Sequence, residues 1–182
     1  MNRPEALVVL HEYTKTESLR KHAYAVEAAM RAYASVYGED PDAWGLVGLL
    51  HDFDYEMFPE FPEHPTKGSE ILKERGLPDL LRKAILSHVP AMNVPRETTM
   101  EKALFACDEL CGFVVACAVI RPNKLADLEV ASVKKKMKDK AFARTVNRED
   151  IRQGTAELGV ELDKHIGAVI TALKTVAGDL GL

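Results

Sequence analysis

The stretch from Leu104 to Ile120 constrains this chain most: it is apolar on every side of a helix, yet Asp108 and Glu109 lie inside it. A helix that is apolar all round belongs in the middle of its fold. An unpaired carboxylate there loses its hydration and gains nothing in return, at a cost of several kcal/mol. Asp108 shares a face with Leu104, Cys111 and Val115, whereas Glu109 is offset by about 100°. One of the two therefore requires a strong partner, a metal ion or an arginine, supplied by whatever packs around this helix.

The surrounding segments also read as helices. Leu19, Ala23, Val26, Met30, Tyr33 and Tyr37 recur at helical spacing. The helix they define starts near Thr14 or Thr16, where Thr14-Lys15-Thr16-Glu17 has the capping-box pattern, and ends at Gly38. His22 sits beside its apolar stripe. Asp40-Pro41 opens a second helix, almost wholly apolar from Ala43 to Leu50, and His51 and Asp52 leave the core at its end. His64-Pro65 opens a third helix that stops at Gly76. Pro78 begins a fourth, in which His88 closes the stripe of Leu81, Ala84 and Ile85. Thr98 caps the central helix, Asn147 starts a later one, and Leu162, Ile166, Val169, Ile170 and Leu173 line the last, ending at Gly178. No segment alternates with the period of a strand. The expectation is an all-α fold, one compact bundle of seven or eight helices forming a single domain over residues 1–182. Its core spans about 15–125, with C-terminal helices 126–182 packed on it.

Composition removes several functional classes. A formal net charge of -4 gives no general basic field for nucleic acid. No apolar run is long enough to span a bilayer, and Met1 to Leu10 is followed by no small-residue cleavage site. Cys107, Cys111 and Cys117 fall on one helix, where a disulfide between the first two is disfavoured; they read as small buried apolar residues in a reducing compartment, and the cytoplasm is the expected location. His11 and His165 lack carboxylate company and read as structural or surface residues. The lysine-dense run Val133 to Lys138 reads as a solvated face.

The remaining inward or core-edge polar residues are His22, His51, Asp52, His64, His88 and Asp108. Imidazole and carboxylate both bind divalent metals, and this set suffices for one ion, or for two that share Asp52 as a bridge.

Their order resembles the H…HD…D pattern of the HD-domain superfamily of metal-dependent phosphohydrolases. The resemblance rests on His22 in Leu19-Arg20-Lys21-His22, the doublet in Gly48-Leu49-Leu50-His51-Asp52, and Asp108 in Phe105-Ala106-Cys107-Asp108-Glu109. These would supply a first metal. His64 and His88 resemble the two extra histidines of the subgroups that hold two. Further pieces, Asp108-Glu109-Leu110 with Gly112-Phe113, Arg121-Pro122-Asn123-Lys124 and Ser132 to Lys136, look like those of small bacterial and archaeal HD proteins. The chain departs from the family in two places. Phe53-Asp54 follows the doublet in place of the glycine-containing HDIG form, and the glutamate that nucleotidase-like members use for acid-base work is Tyr55 here.

The resemblance implies a hydrolase with one or two divalent ions (Mn, Mg, Fe, Ni, Co or Zn) acting on a small phosphorylated substrate, such as a nucleotide. Metal-activated water would attack phosphorus. Asp52, Asp54 and Lys67 are the expected catalytic residues, with Asp54 or Glu56 standing in for the absent glutamate. Arg121 and Lys124 are expected to bind substrate anions. Two other readings use the same residues: a diiron oxygenase, and a binding module in which the metal only staples helices. Phe58 and Phe61 in the loop Phe53 to Glu63 suit a substrate lid or a homo-oligomer interface equally.

Overall fold

A computed structural model describes residues 1–182. It contains ten α-helices and a short 3-10 turn, and no strand. The helices are α1 (Arg3–Tyr13), α2 (Glu17–Tyr37), α3 (Pro41–Leu50), α4 (Glu63–Glu74), α5 (Asp79–Ser87), α6 (Thr99–Val119), α7 (Val130–Met137), α8 (Arg148–Leu158), α9 (Leu162–Thr175) and α10 (Ala177–Leu180). The all-α expectation holds, with more helices than the seven or eight foreseen. α1 is the main addition. Its buried face is only Ala6, Val9 and Leu10, too short a stripe to stand out, but Asn2 and Glu5 cap its first turn reciprocally.

α6 is the central helix, with Leu104, Cys107, Leu110, Cys111, Phe113, Val114 and Cys117 all buried. α2, α5, α8 and α9 pack around it, and α3 lies along α2. The buried apolar side chains form one cluster of 43 residues drawn from both the N-terminal and the C-terminal helices. Close approach between helices needs glycine at two crossings. A Cβ on Gly48 would lie 2.8 Å from the Val26 carbonyl, and one on Gly154 would lie 2.6 Å from Ala106 Cα. The first brings α3 against α2 and the second brings α8 against α6.

α2 begins where expected, but its cap comes from elsewhere. Thr16 makes no side-chain capping bond. Thr14 instead donates its hydroxyl to the Phe53 carbonyl at 2.8 Å, and Glu56 accepts from the Lys15 and Thr16 backbone N–H groups at 2.8 and 2.9 Å. A carboxylate at a helix N-terminus satisfies free N–H groups and complements the helix dipole. The loop after the doublet is thereby fastened to the start of α2. Its first residues are not lid-like, since Phe53 and Asp54 are buried, whereas Tyr55, Met57 and Phe61 are exposed.

The three cysteines are free and buried. His165 is a core residue: Tyr33 Oη lies 2.5 Å from its Nδ1, and its Nε2 donates to the Ala106 carbonyl at 2.9 Å. In the lysine run, Lys134 pairs with Asp163 and Lys136 with Asp139, at the surface of α7. No helix is long and apolar enough to cross a membrane.

Candidate metal centre

Five helices deliver six side chains to one place, each for a local reason. His22 projects from α2 beside its buried stripe. His51 and His88 are the C-cap residues of α3 and α5, where the last carbonyls of each helix have no intrahelical partner. Each ring uses one of them: His51 Nδ1 lies 2.8 Å from the Gly48 carbonyl and His88 Nδ1 lies 2.5 Å from that of Ile85. His64 stands in α4 with ψ 129, the extended conformation that a following proline imposes. Its Nδ1 lies 2.9 Å from Asp54 Oδ1.

Those three contacts fix three tautomers. A carbonyl or carboxylate oxygen only accepts, so the Nδ1 of each ring carries the proton, and in the neutral ring Nε2 keeps a lone pair. All three Nε2 atoms face carboxylates. His88 Nε2 and His64 Nε2 stand 3.1 and 3.3 Å from Asp52 Oδ1. His51 Nε2 is 3.5 Å from Asp52 Oδ2 and 3.4 Å from Asp108 Oδ1. On the far side, His22 Nε2 is 3.0 Å from Asp108 Oδ1. The ligating atoms form two groups, His22, His51, Asp52 and Asp108 in one, Asp52, His64 and His88 in the other; within each, all lie within 4.8 Å of one another. Asp52 turns one oxygen toward each group.

Lone pairs aimed at carboxylate oxygens repel unless a positive charge sits between them. The protonation behaviour of these side chains expresses that demand. Burial alone would push His51 down, but Asp52 and Asp108 outweigh it and hold its imidazolium up at about 9. Burial likewise opposes charge on His64, and its bonds to Asp52 and Asp54 raise it to about 9. Burial would raise both carboxylates, yet His51 and the other imidazoles hold Asp52 and Asp108 well below the usual range. His51 Nε2 is nevertheless fully buried without a hydrogen-bond partner. Buried polar atoms are rarely left so. A divalent cation satisfies it and the carboxylates at once, and the nitrogen and oxygen donor set suits such an ion.

The groups that face Asp108 in the fold are the imidazoles of His22 and His51, not an arginine. Glu109, one residue on, accepts from the Asn147 backbone N–H at 3.1 Å, and burial with the nearby Asp108 raises it to about 7.

Of the expected catalytic residues, Asp52 lies in the cluster; Asp54, Lys67 and the expected anion-binding residues are placed differently. Asp54 is 1% exposed and both its oxygens are engaged, Oδ1 with His64 and Oδ2 accepting from Gly68 N–H at 2.9 Å. With both oxygens engaged inside the fold, Asp54 has no free acceptor for the expected acid-base role. Glu56, the other stand-in, caps α2. Tyr55 packs edge-on to His64 with ring centroids 5.3 Å apart. Lys67 is half-exposed on α4 and pairs with Glu70 at 3.4 Å. Beyond the end of α6, Arg121 binds Asp127, and Lys124 donates to the Gly181 carbonyl at 2.6 Å. Neither touches the histidine–aspartate cluster directly, although Lys124 and His22 line one cavity.

Sequence reading missed the Gly48 and Ile85 carbonyls and the Gly68 N–H. The first two had a signal: a histidine at a helix C-cap finds a free carbonyl three residues back.

No curated protein and no solved structure matches the chain. Residues 19–113, more than half of it, match the family model described as the HD domain. That span contains all six converging residues, with the His51-Asp52 doublet where the two groups meet, and the chain therefore belongs to the HD domain family, the superfamily of metal-dependent phosphohydrolases that its sequence resembles.

Proposed function

We propose that the protein is a metal-dependent phosphohydrolase acting on a small phosphate ester. His22, His51, Asp52 and Asp108 would hold one divalent ion, and His64 and His88, sharing Asp52, a second. The observation that supports this is the buried His51 Nε2 without a partner, flanked by two carboxylates held ionised. Ions bound there would bring a water molecule toward neutral pKa and offset the charge of the phosphoryl oxygens.

The chain's own work is to hold and orient. The Gly48 and Ile85 carbonyls and the Asp54 carboxylate keep three imidazoles in the Nδ1–H tautomer, which is the ligating form. Asp52 and Asp108 are 25% and 19% exposed, so the cluster is open on their side while the rings of His51 and His88 are closed off. A phosphate oxygen can approach there, and Lys67, three residues after His64, is the nearby cation in the sequence for it. The group of Asp52, His64 and His88 offers three ligands, one fewer than the four that a closed structural ion uses, which favours an open, reactive site over a staple.

The test is metal analysis of purified protein followed by a screen of phosphate monoesters, nucleotides and cyclic nucleotides with added manganese or magnesium. Turnover is expected from colourless protein. Iron with near-ultraviolet absorption and oxygen uptake, without phosphate release, would instead identify an oxygenase. His51→Ala and Asp52→Ala should each lose bound metal and turnover at unchanged helix content; full metal stoichiometry in both variants would remove the proposed site.

A further inference from the structure

We infer that Tyr55 is a specificity-determining residue of this centre: its ring is the platform for the organic part of the substrate and selects flat, aromatic phosphate esters over saturated ones. This rests on the phosphohydrolase reading. The cluster reaches solvent unevenly. Asp52 has the most exposed side chain of the six, and His64 beside it is 10% exposed, whereas His51 and His88 are closed off. Tyr55 is the only ring other than a histidine that packs against the imidazoles of the cluster. It meets His64 at 87° with centroids 5.3 Å apart. His64 Nε2 is in turn 3.3 Å from Asp52 Oδ1. One imidazole thus separates the phenol from the carboxylate that both ligand groups share.

The backbone holds the ring in place. The Tyr55 N–H donates to the Asp52 carbonyl at 3.1 Å, which folds the chain back within one tight turn. Phe53 and Asp54 are buried before it, and Glu56 after it is bonded to the Lys15 and Thr16 N–H groups. A ring fixed by such neighbours loses little freedom when a ligand lies on it. Tyr55 nevertheless remains 42% exposed. In a perpendicular contact the imidazole covers at most one face of the phenol, so the other stays available.

The other borders of the cluster offer no such surface. Next to Asp108 stands Glu109, a carboxylate tied to the Asn147 N–H. The cavity at His22 is lined by neither Asp52 nor Asp108 and contains no aromatic ring besides that imidazole. An aromatic ring attracts another flat ring through offset or edge-to-face contacts that a saturated ring does not match. The selection is therefore for a π surface and not for burial. A cyclohexyl group is more apolar than a phenyl group, so burial alone would rank the two the other way.

The experiment is calorimetry on the full, manganese-loaded chain with benzylphosphonate and cyclohexylmethylphosphonate, which share one anionic head and cannot be hydrolysed. Benzylphosphonate should bind about fivefold tighter, the size of one aromatic contact. Tyr55→Phe should keep that preference and Tyr55→Leu should abolish it, with metal content unchanged in both. Equal or reversed binding by the wild type, or a preference that survives Tyr55→Leu, overturns the inference. If Tyr55→Leu loses metal, Tyr55→Trp decides: its larger ring should widen the preference, and an unchanged preference overturns the inference. Turnover of phosphate esters by protein that binds the two phosphonates equally would keep the phosphohydrolase reading and reject the role of Tyr55. Aryl-selective binding without turnover of any phosphate ester would do the reverse.

Discussion

Asp54→Asn is the most incisive perturbation of the centre, because it changes one atom of a residue that touches no ligand group except through His64. In the wild type both Asp54 oxygens accept, one from His64 Nδ1 and one from Gly68 N–H, each at 2.9 Å. A carboxamide offers one acceptor and one donor. If its oxygen faces His64, its NH2 opposes the Gly68 N–H, and a buried donor goes unsatisfied at a cost of about 1–3 kcal/mol in stability. If it faces Gly68, the NH2 requires His64 Nδ1 to accept. The proton then moves to Nε2, where the ligating lone pair was. Loss of such a supporting contact weakens metal binding about 10–100-fold, or roughly 1.4–2.8 kcal/mol. The loss should fall on the ion held by His64 and His88, leaving the His22–Asp108 side near wild-type affinity. Manganese titration calorimetry on stripped protein reads both affinities, and long-range proton–nitrogen NMR reads the His64 tautomer. An unchanged tautomer together with unchanged affinity at both sites would refute the reasoning, as would an equal loss at both.

Further outcomes follow from the same geometry. Metal-free protein should lose stability as pH rises. The imidazolium forms of His51 and His64 are favoured in the fold, up at about 9. Their stabilisation is complete below the unfolded value near 6.5 and fades as pH climbs through the folded value. For fully buried His51 the difference is on the order of 3 kcal/mol, readable as a falling urea midpoint between those limits; a flat profile in the stripped protein would contradict the charge balance described. Metal-loaded protein should lack that slope, and affinity for manganese should increase across the same interval, because the ion displaces the protons. Chelation should lower the melting temperature, since an ion at a hundredfold excess over its dissociation constant contributes about 2.7 kcal/mol; identical melting with and without chelator would mean that no ion binds. Away from the centre, Gly154→Ala sets a Cβ 2.6 Å from Ala106 Cα and should cost about 1–3 kcal/mol by forcing α8 off α6, measured by urea unfolding with metal held constant.

The helices were legible where their signals are local. Asp40-Pro41, Thr98 and Asn147 cap α3, α6 and α8 through their own side chains. Gly38 closes α2 with φ 70, a conformation that glycine adopts freely. α1 escaped notice because its apolar stripe is short. The start of α2 was located correctly for an incomplete reason, as the carboxylate that caps it arrives from Glu56, some forty residues away. The same limit applies at the centre. The helical faces of His22, His88 and Asp108 could be read from periodicity, the positions of His51 and His64 from the helix ends, and the demand of Asp108 for a partner from its apolar helix. The role of Asp54 could not, because it depends on Gly68 and His64 closing around it. Nor could the difference between Arg121, tied to Asp127, and Lys124, which borders the cavity; two cations in one loop are alike until the fold separates them.

His22 and Asp108 are 86 residues apart in the chain, and their contact closes a loop containing every other member of the centre. The centre is therefore complete only after α2, α3, α4, α5 and α6 have all docked, which makes it one of the most non-local features of the molecule. Interactions absent from the folding transition state act on the rate of escape from the native state and leave the rate of arrival nearly untouched. An ion taken up there would join an already assembled chain, lengthening the lifetime of the folded molecule without hastening its formation.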